Sequence, residues 1–84
     1  MDEEARRHIA RIRAIGCVVC EMSQCDEVHE IVQGQWFTSL PLCRDCHRGP
    51  QNGIHGNKCM WRVKGLDELS ALDKTLRLTY GHLV

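Results

Sequence analysis

The chain has no surplus of charge. Eleven lysines and arginines balance eleven aspartates and glutamates, so the formal net charge at pH 7 is zero and the pI is near 6.9. That balance removes the usual electrostatic argument for non-specific DNA binding, although a local basic patch is compatible with it. Long apolar runs are missing too, and with them any bilayer-spanning segment, which needs about 20 residues. The start, Met1-Asp2-Glu3-Glu4, lacks the basic residues and apolar run of a secretory signal. The sequence has no internal repeat, linker or low-complexity tract. Its 84 residues therefore read as one domain, 1–84, with 43% hydrophobic and 26% charged residues indicating a soluble globular chain rather than a disordered one. At this size an apolar core alone is marginal, and a structural metal is a common remedy.

Cysteine, in contrast, is abundant, with six in the chain. In a secreted chain they would mean three disulfides. Without a signal, and with four of them in pairs, a reducing cytoplasmic setting and metal ligation are expected. The pairs are Cys17-Val18-Val19-Cys20 and Cys43-Arg44-Asp45-Cys46, separated by residues 21–42. Two such knuckles suit one tetrahedral zinc, with Cys17, Cys20, Cys43 and Cys46 as ligands. The alternative is two redox pairs or scattered core cysteines. The separation exceeds the usual spacing slightly, so a hairpin is expected to fill it. Cys25 and Cys59 read as half-buried thiols.

Taken in order, Asp2 caps a helix that begins near Glu3 and ends at Gly16, with acids in its first turn and arginines later. Ala5, Ile9, Ile12 and Ile15 form its apolar stripe. Arg6, Arg7, Arg11 and Arg13 flank the stripe. They are either a solvated face with stems over the core or a phosphate-contacting edge. Residues 26–32 read as a strand, 33–35 as a turn and 36–42 as the return strand, with Pro41 at an edge. A short helix is expected from Cys43 until the turn-rich 48–53 stretch, and a second helical segment around 58–63. Asp67 caps the last helix, in which Leu69, Leu72, Leu76, Tyr80 and Leu83 share a packing face. His8 and His82 belong to no constellation and read as surface residues.

Several stretches together resemble the HNH, or ββα-metal, nuclease family, in particular its small phage and prophage branch related to the Ref-type recombination-enhancement nuclease. They are Gly16-Cys17-Val18-Val19-Cys20, Val28-His29-Glu30-Ile31, Leu40-Pro41-Leu42-Cys43-Arg44-Asp45-Cys46-His47-Arg48-Gly49 and Ile54-His55-Gly56. They cover about half the chain in the family's order. The resemblance implies a small α+β fold: a zinc-stabilised ββα-metal core of one hairpin and one short helix, flanked by N- and C-terminal helices. It implies metal-dependent cleavage of DNA, with His29, His47 and His55 holding a second divalent cation (Mg, Mn, Ni or Zn) apart from the zinc. Imidazole suits Zn, Ni or Mn near neutral pH.

Two departures stand out. The family's second histidine, its general base, is Glu30 here, and the asparagine common before the second knuckle is Thr38. The resemblance thus assigns the catalytic pair to His29 and Glu30, while strand alternation puts their side chains on opposite faces unless the strand twists or bulges. For a nucleic-acid partner, Arg6, Arg7, Arg11, Arg13, Arg44, Arg48, Lys58 and Arg62 are the expected phosphate contacts. The alternative function is a catalytically silent zinc module that binds DNA or a host protein.

Overall fold

The computed structural model describes residues 1–81, so His82 and Leu83 lie outside the described residues. Helix α1 runs Glu3–Ala14, strand β1 Glu27–Glu30, strand β2 Ser39–Leu42, helix α2 Arg44–Arg48, helix α3 Cys59–Val63 and helix α4 Glu68–Tyr80. Among the described residues, no helix is long and apolar enough to cross a membrane.

Helix α1 starts as its sequence dictates. The Asp2 carboxylate accepts the Ala5 N–H at 2.8 Å, with Glu3 and Glu4 in the first turn and Arg11 and Arg13 in the last. Ala5 and Ile12 are buried, while Ile9 and Ile15 are half-buried. The surface reading of His8 is wrong. It is 1% exposed, its ring stacks between Phe37 and Tyr80, and its Nδ1 lies 2.6 Å from the Tyr80 hydroxyl. Burial first, and the nearby Arg11 charge second, push its pKa below the ordinary value. An imidazole next to an apolar helical stripe can be drawn in whenever a distant hydroxyl offers it a hydrogen bond, and Tyr80 is 72 residues away in sequence.

The hairpin is present but shorter than expected. β1 and β2 pair antiparallel, with Glu27 opposite Leu42, Val28 opposite Pro41, His29 opposite Leu40 and Glu30 opposite Ser39. Residues 36–38, expected in the return strand, form a 3-10 turn instead. The reason is a run of tight turns: Gln35 N–H donates to Val32 O and Thr38 N–H to Gln35 O, while Ile31 N–H closes the loop on Thr38 O. The backbone groups of Pro41 face away from β1, so the proline removes no ladder bond. Its carbonyl instead accepts the Val18 N–H at 3.0 Å, which ties the first knuckle to β2.

One core cluster gathers Cys17, Val18, Val19, Cys20, Leu40, Leu42, Cys43, Cys46, Trp61 and Ala71. The knuckle cysteines are part of this core rather than an appendage to it. Trp61 donates its indole N–H to Cys46 O at 2.9 Å, so α3 is fastened to the second knuckle.

Helix α4 packs on β2 and α1, and the expected face contributes only in part: Leu72 packs against the core and Tyr80 meets His8 of α1, while Leu69 is exposed. Its buried residues are Ala71, Thr75 and Thr79, whereas Leu69 is 74% exposed and Leu72, Leu76 and Tyr80 are half-buried. Small side chains four residues apart let the helix backbone approach the sheet closely. The threonine hydroxyls donate to Ala71 O and Thr75 O, at 2.8 and 2.7 Å, so they enter the core already satisfied.

Candidate metal centres

The four knuckle cysteines converge. Cys17, Cys20, Cys43 and Cys46 are all buried, and their sulfurs lie within 4.8 Å of one another. Local backbone bonds place them. Cys17 N–H donates to Ser23 O, and Glu21 N–H returns to Cys17 O to close the first knuckle. Glu21 takes a left-handed backbone at φ 62° and pairs with Lys74 of α4. In the second knuckle the Cys43 Sγ caps α2 by accepting the Cys46 N–H at 3.4 Å. Burial pushes the Cys46 thiol well up, and the sulfurs of Cys43, Cys17 and Cys20 add to the shift. Burial raises Cys43 as well, against the Cys46 N–H. Cys20 is also pushed up by burial, but the Met22 N–H and donors from Cys17 and Ser23 outweigh that and bring it to about 7. Cys20 therefore ionises readily, whereas Cys43 and Cys46 resist following. A dication removes that resistance, because a coordinating thiol is deprotonated outright. The donor set fits a structural metal such as zinc.

A second group shares α2 with the first. His29 comes from β1, His47 from α2 and His55 from the loop after it, and one ring nitrogen from each lies within 4.8 Å of the others. Ring centroids are 5.1 Å apart for His29 and His47, 5.5 Å for His29 and His55, and 5.2 Å for His47 and His55. The loop carrying His55 folds back on α2: Ile54 N–H donates to Cys46 O at 3.0 Å and His55 N–H to His47 O at 3.4 Å. Glycines make that return possible. A Cβ on Gly53 would meet Gly49 O at 2.5 Å, and one on Gly56 would meet Gly49 O and Pro50 O at 2.6 Å.

Carboxylates hold two of the rings. Glu27 Oε1 sits 2.8 Å from His47 Nδ1, and Glu68 Oε2 sits 2.9 Å from His29 Nε2. Arg48 Nε donates to both oxygens of Glu27, at 2.8 and 3.0 Å. His47 and Arg48 together hold the Glu27 carboxyl below the usual range. Burial pushes His47 below its ordinary value, and Glu27 only partly opposes this. His47 is thus kept neutral, the form that ligates metal. The rings border an open cleft of about 430 Å³, with Val28, Glu30, Gln33 and Arg48 completing its wall.

Glu30 is the last residue of β1. It lines the same cleft as His29, and its Oε1 accepts the Gly34 N–H at 2.7 Å. Arg6, Arg7, Arg11, Arg13, Arg44, Arg48, Lys58 and Arg62 are all exposed, but only Arg48 borders the cleft. Arg7 pairs with Glu3 at 3.5 Å, and Arg11 lies over the Tyr80 ring. Arg44 and Arg48 share a neighbouring recess with Asp45, Gly49 and Pro50. Sequence reasoning missed both carboxylates. Glu27 carried a signal, two residues before His29 on the same strand face. Glu68 carried none, being 39 residues away.

No protein-family model matches this chain, and no curated protein or solved structure matches it either.

Proposed function

We propose that this protein is a metal-dependent DNA endonuclease of the HNH class, phage or prophage derived, acting in the cytoplasm of a bacterial host. The observation that carries the reading is the convergence of His29, His47 and His55, from hairpin, helix and glycine loop, beside the four-cysteine cluster. The hairpin followed by a short helix supports a ββα-metal core.

In this reading the three histidines hold the second divalent cation. When bound, that cation supplies charge stabilisation for a phosphodiester and its leaving oxygen. The protein's own groups do the rest. Glu27 orients His47 and keeps Arg48 at the cleft edge, where the guanidinium meets a phosphate. Glu30 takes a proton from water. The open cleft admits a backbone segment, which a closed structural site would not.

A second reading, a silent module that binds DNA or a host protein, draws on one observation: Glu30 already accepts the Gly34 N–H as a cap for the turn. Plasmid nicking with purified protein across Mg, Mn, Ni and Zn, with and without His47→Ala, separates the two. Nicking that needs a cation and His47 supports the enzyme. Its absence with every cation supports the silent module, and equal nicking by both proteins points to contamination.

A further inference from the structure

Helix α4 lies outside the hairpin-and-helix unit that supplies the three histidines, yet its first residue reaches them. Glu68 follows the Asp67 cap, where the Asp67 carboxylate accepts the Ser70 N–H at 2.8 Å and the Ser70 hydroxyl accepts the Asp67 N–H at 2.9 Å. That reciprocal cap fixes the backbone from which Glu68 projects. Its Oε2 lies 2.9 Å from His29 Nε2, with the imidazole 13% and the carboxylate 42% exposed.

We infer that Glu68 is a positioning residue for the histidine centre: it selects the tautomer of His29 and thereby the nitrogen that meets a cation. A carboxylate only accepts hydrogen bonds, so His29 Nε2 must carry the hydrogen and Nδ1 keeps the lone pair. Glu27 does the opposite at His47. There Nδ1 is the bonded nitrogen, so Nε2 is left for the metal. The two rings thus present different nitrogens, each set by an outer carboxylate. Such partners fix ring orientation and raise ligand basicity, and removing one typically lowers metal affinity about 10–100-fold. This inference rests on the second-cation reading above but names a residue from outside the unit that suggested it.

The test uses full-length, zinc-loaded protein. Long-range ¹H–¹⁵N correlation spectra report the His29 tautomer with no second metal added, and titration calorimetry with Ni²⁺ and Mn²⁺ reports affinity. The wild type should show His29 protonated on Nε2. Glu68→Ala should lose that preference. Glu68→Gln should lose it too, since an amide can serve either tautomer. Both variants should bind the second cation about 10–100-fold more weakly. Leu69→Ser, at the exposed neighbouring position, should change neither readout. In parallel samples with cobalt in place of the zinc, the cobalt–thiolate absorption of Cys17, Cys20, Cys43 and Cys46 should be unaltered in every variant, which separates positioning from unfolding. A His29 protonated on Nδ1 in the wild type overturns the inference. So does second-cation binding that ignores Glu68, which leaves the enzyme reading standing. A wild type with the expected tautomer that takes neither Ni²⁺ nor Mn²⁺ overturns the metal reading, and with it Glu68's part in metal capture.

Discussion

The cysteine cluster and the histidine cluster share helix α2 but are built on opposite plans. The four sulfurs come from two tight turns, are buried, and belong to the core itself. The three imidazoles come from a strand, a helix and a loop, and range from half-buried His29 through buried His47 to exposed His55. Spacing along the chain alone brings each cysteine pair together. The histidines meet only after the hairpin has paired, α2 has formed and the glycine loop has turned back. A closed set of four ligands suits a structural metal, whereas a three-ligand set open to a cleft leaves room for a further partner. The cysteine cluster is thus closed into the core, while the histidine cluster stays open to the cleft.

The sharpest way to break that contrast is to attack the cysteines. Cys46→Ser, or chelation, should unfold the domain, because structural zinc in small domains carries about 10–16 kcal/mol of folding free energy. Loss of helical circular dichroism together with zinc release is the expected result. Retention of structure without metal would mean that the core stands alone.

His47→Ala should do the reverse. Zinc content and fold should persist, while cation-dependent nicking falls below detection on a plasmid gel. A variant that unfolds would show that the histidine side also carries stability.

Next come the changes at Glu30. If its carboxylate is the base, Glu30→Gln should cost about 10²–10⁴-fold in rate, the usual value of general-base assistance. If its role is confined to capping the turn, Glu30→His should raise nicking over a nearly silent wild type. Single-turnover rates decide between them.

Smaller still is the effect of one guanidinium. If DNA is the partner, affinity should fall steeply with salt, and Arg48→Ala should lower the slope of log K against log salt by about 1. A slope that ignores salt would point to a protein partner. The smallest expected effect comes from a helix cap. Asp2→Ala removes the α1 cap and should cost about 1 kcal/mol in thermal unfolding while changing neither metal content.

Where the sequence was legible, the signal was local. The Asp2 and Asp67 caps, the stop at Gly16, the two knuckles and the helix after Cys43 each depend on residues within a few positions of one another. The convergence of His29, His47 and His55 was legible only through a family resemblance, since no short-range rule joins a strand to a loop 26 positions on. The failures share one cause. His8 is buried because Tyr80 and Phe37 close over it, and the innermost line of α4 goes to Ala71, Thr75 and Thr79, with Leu72 packing beside it, because the helix sits close to β2. Hydrophobicity favours leucine at an interface. The distance between two backbones decides whether leucine fits, and that distance is a tertiary quantity. The shortened hairpin belongs here as well, because tight-turn hydrogen bonds took residues 36–38 out of a pattern that reads equally well as strand.

Helix α4 touches three parts of the molecule in succession: Glu68 meets His29, Lys74 meets Glu21 beside the first knuckle, and Tyr80 meets His8 of α1. Those contacts are spaced along about 18 Å of helix, at a rise of about 1.5 Å per residue. The helix therefore works as a keyed shaft rather than a strut. Deleting one residue between 69 and 73 turns everything beyond it by about 100° relative to Glu68, so the three teeth can no longer engage together. Sequence drift on the outer surface of α4 is free, but its length between Glu68 and Tyr80 is not.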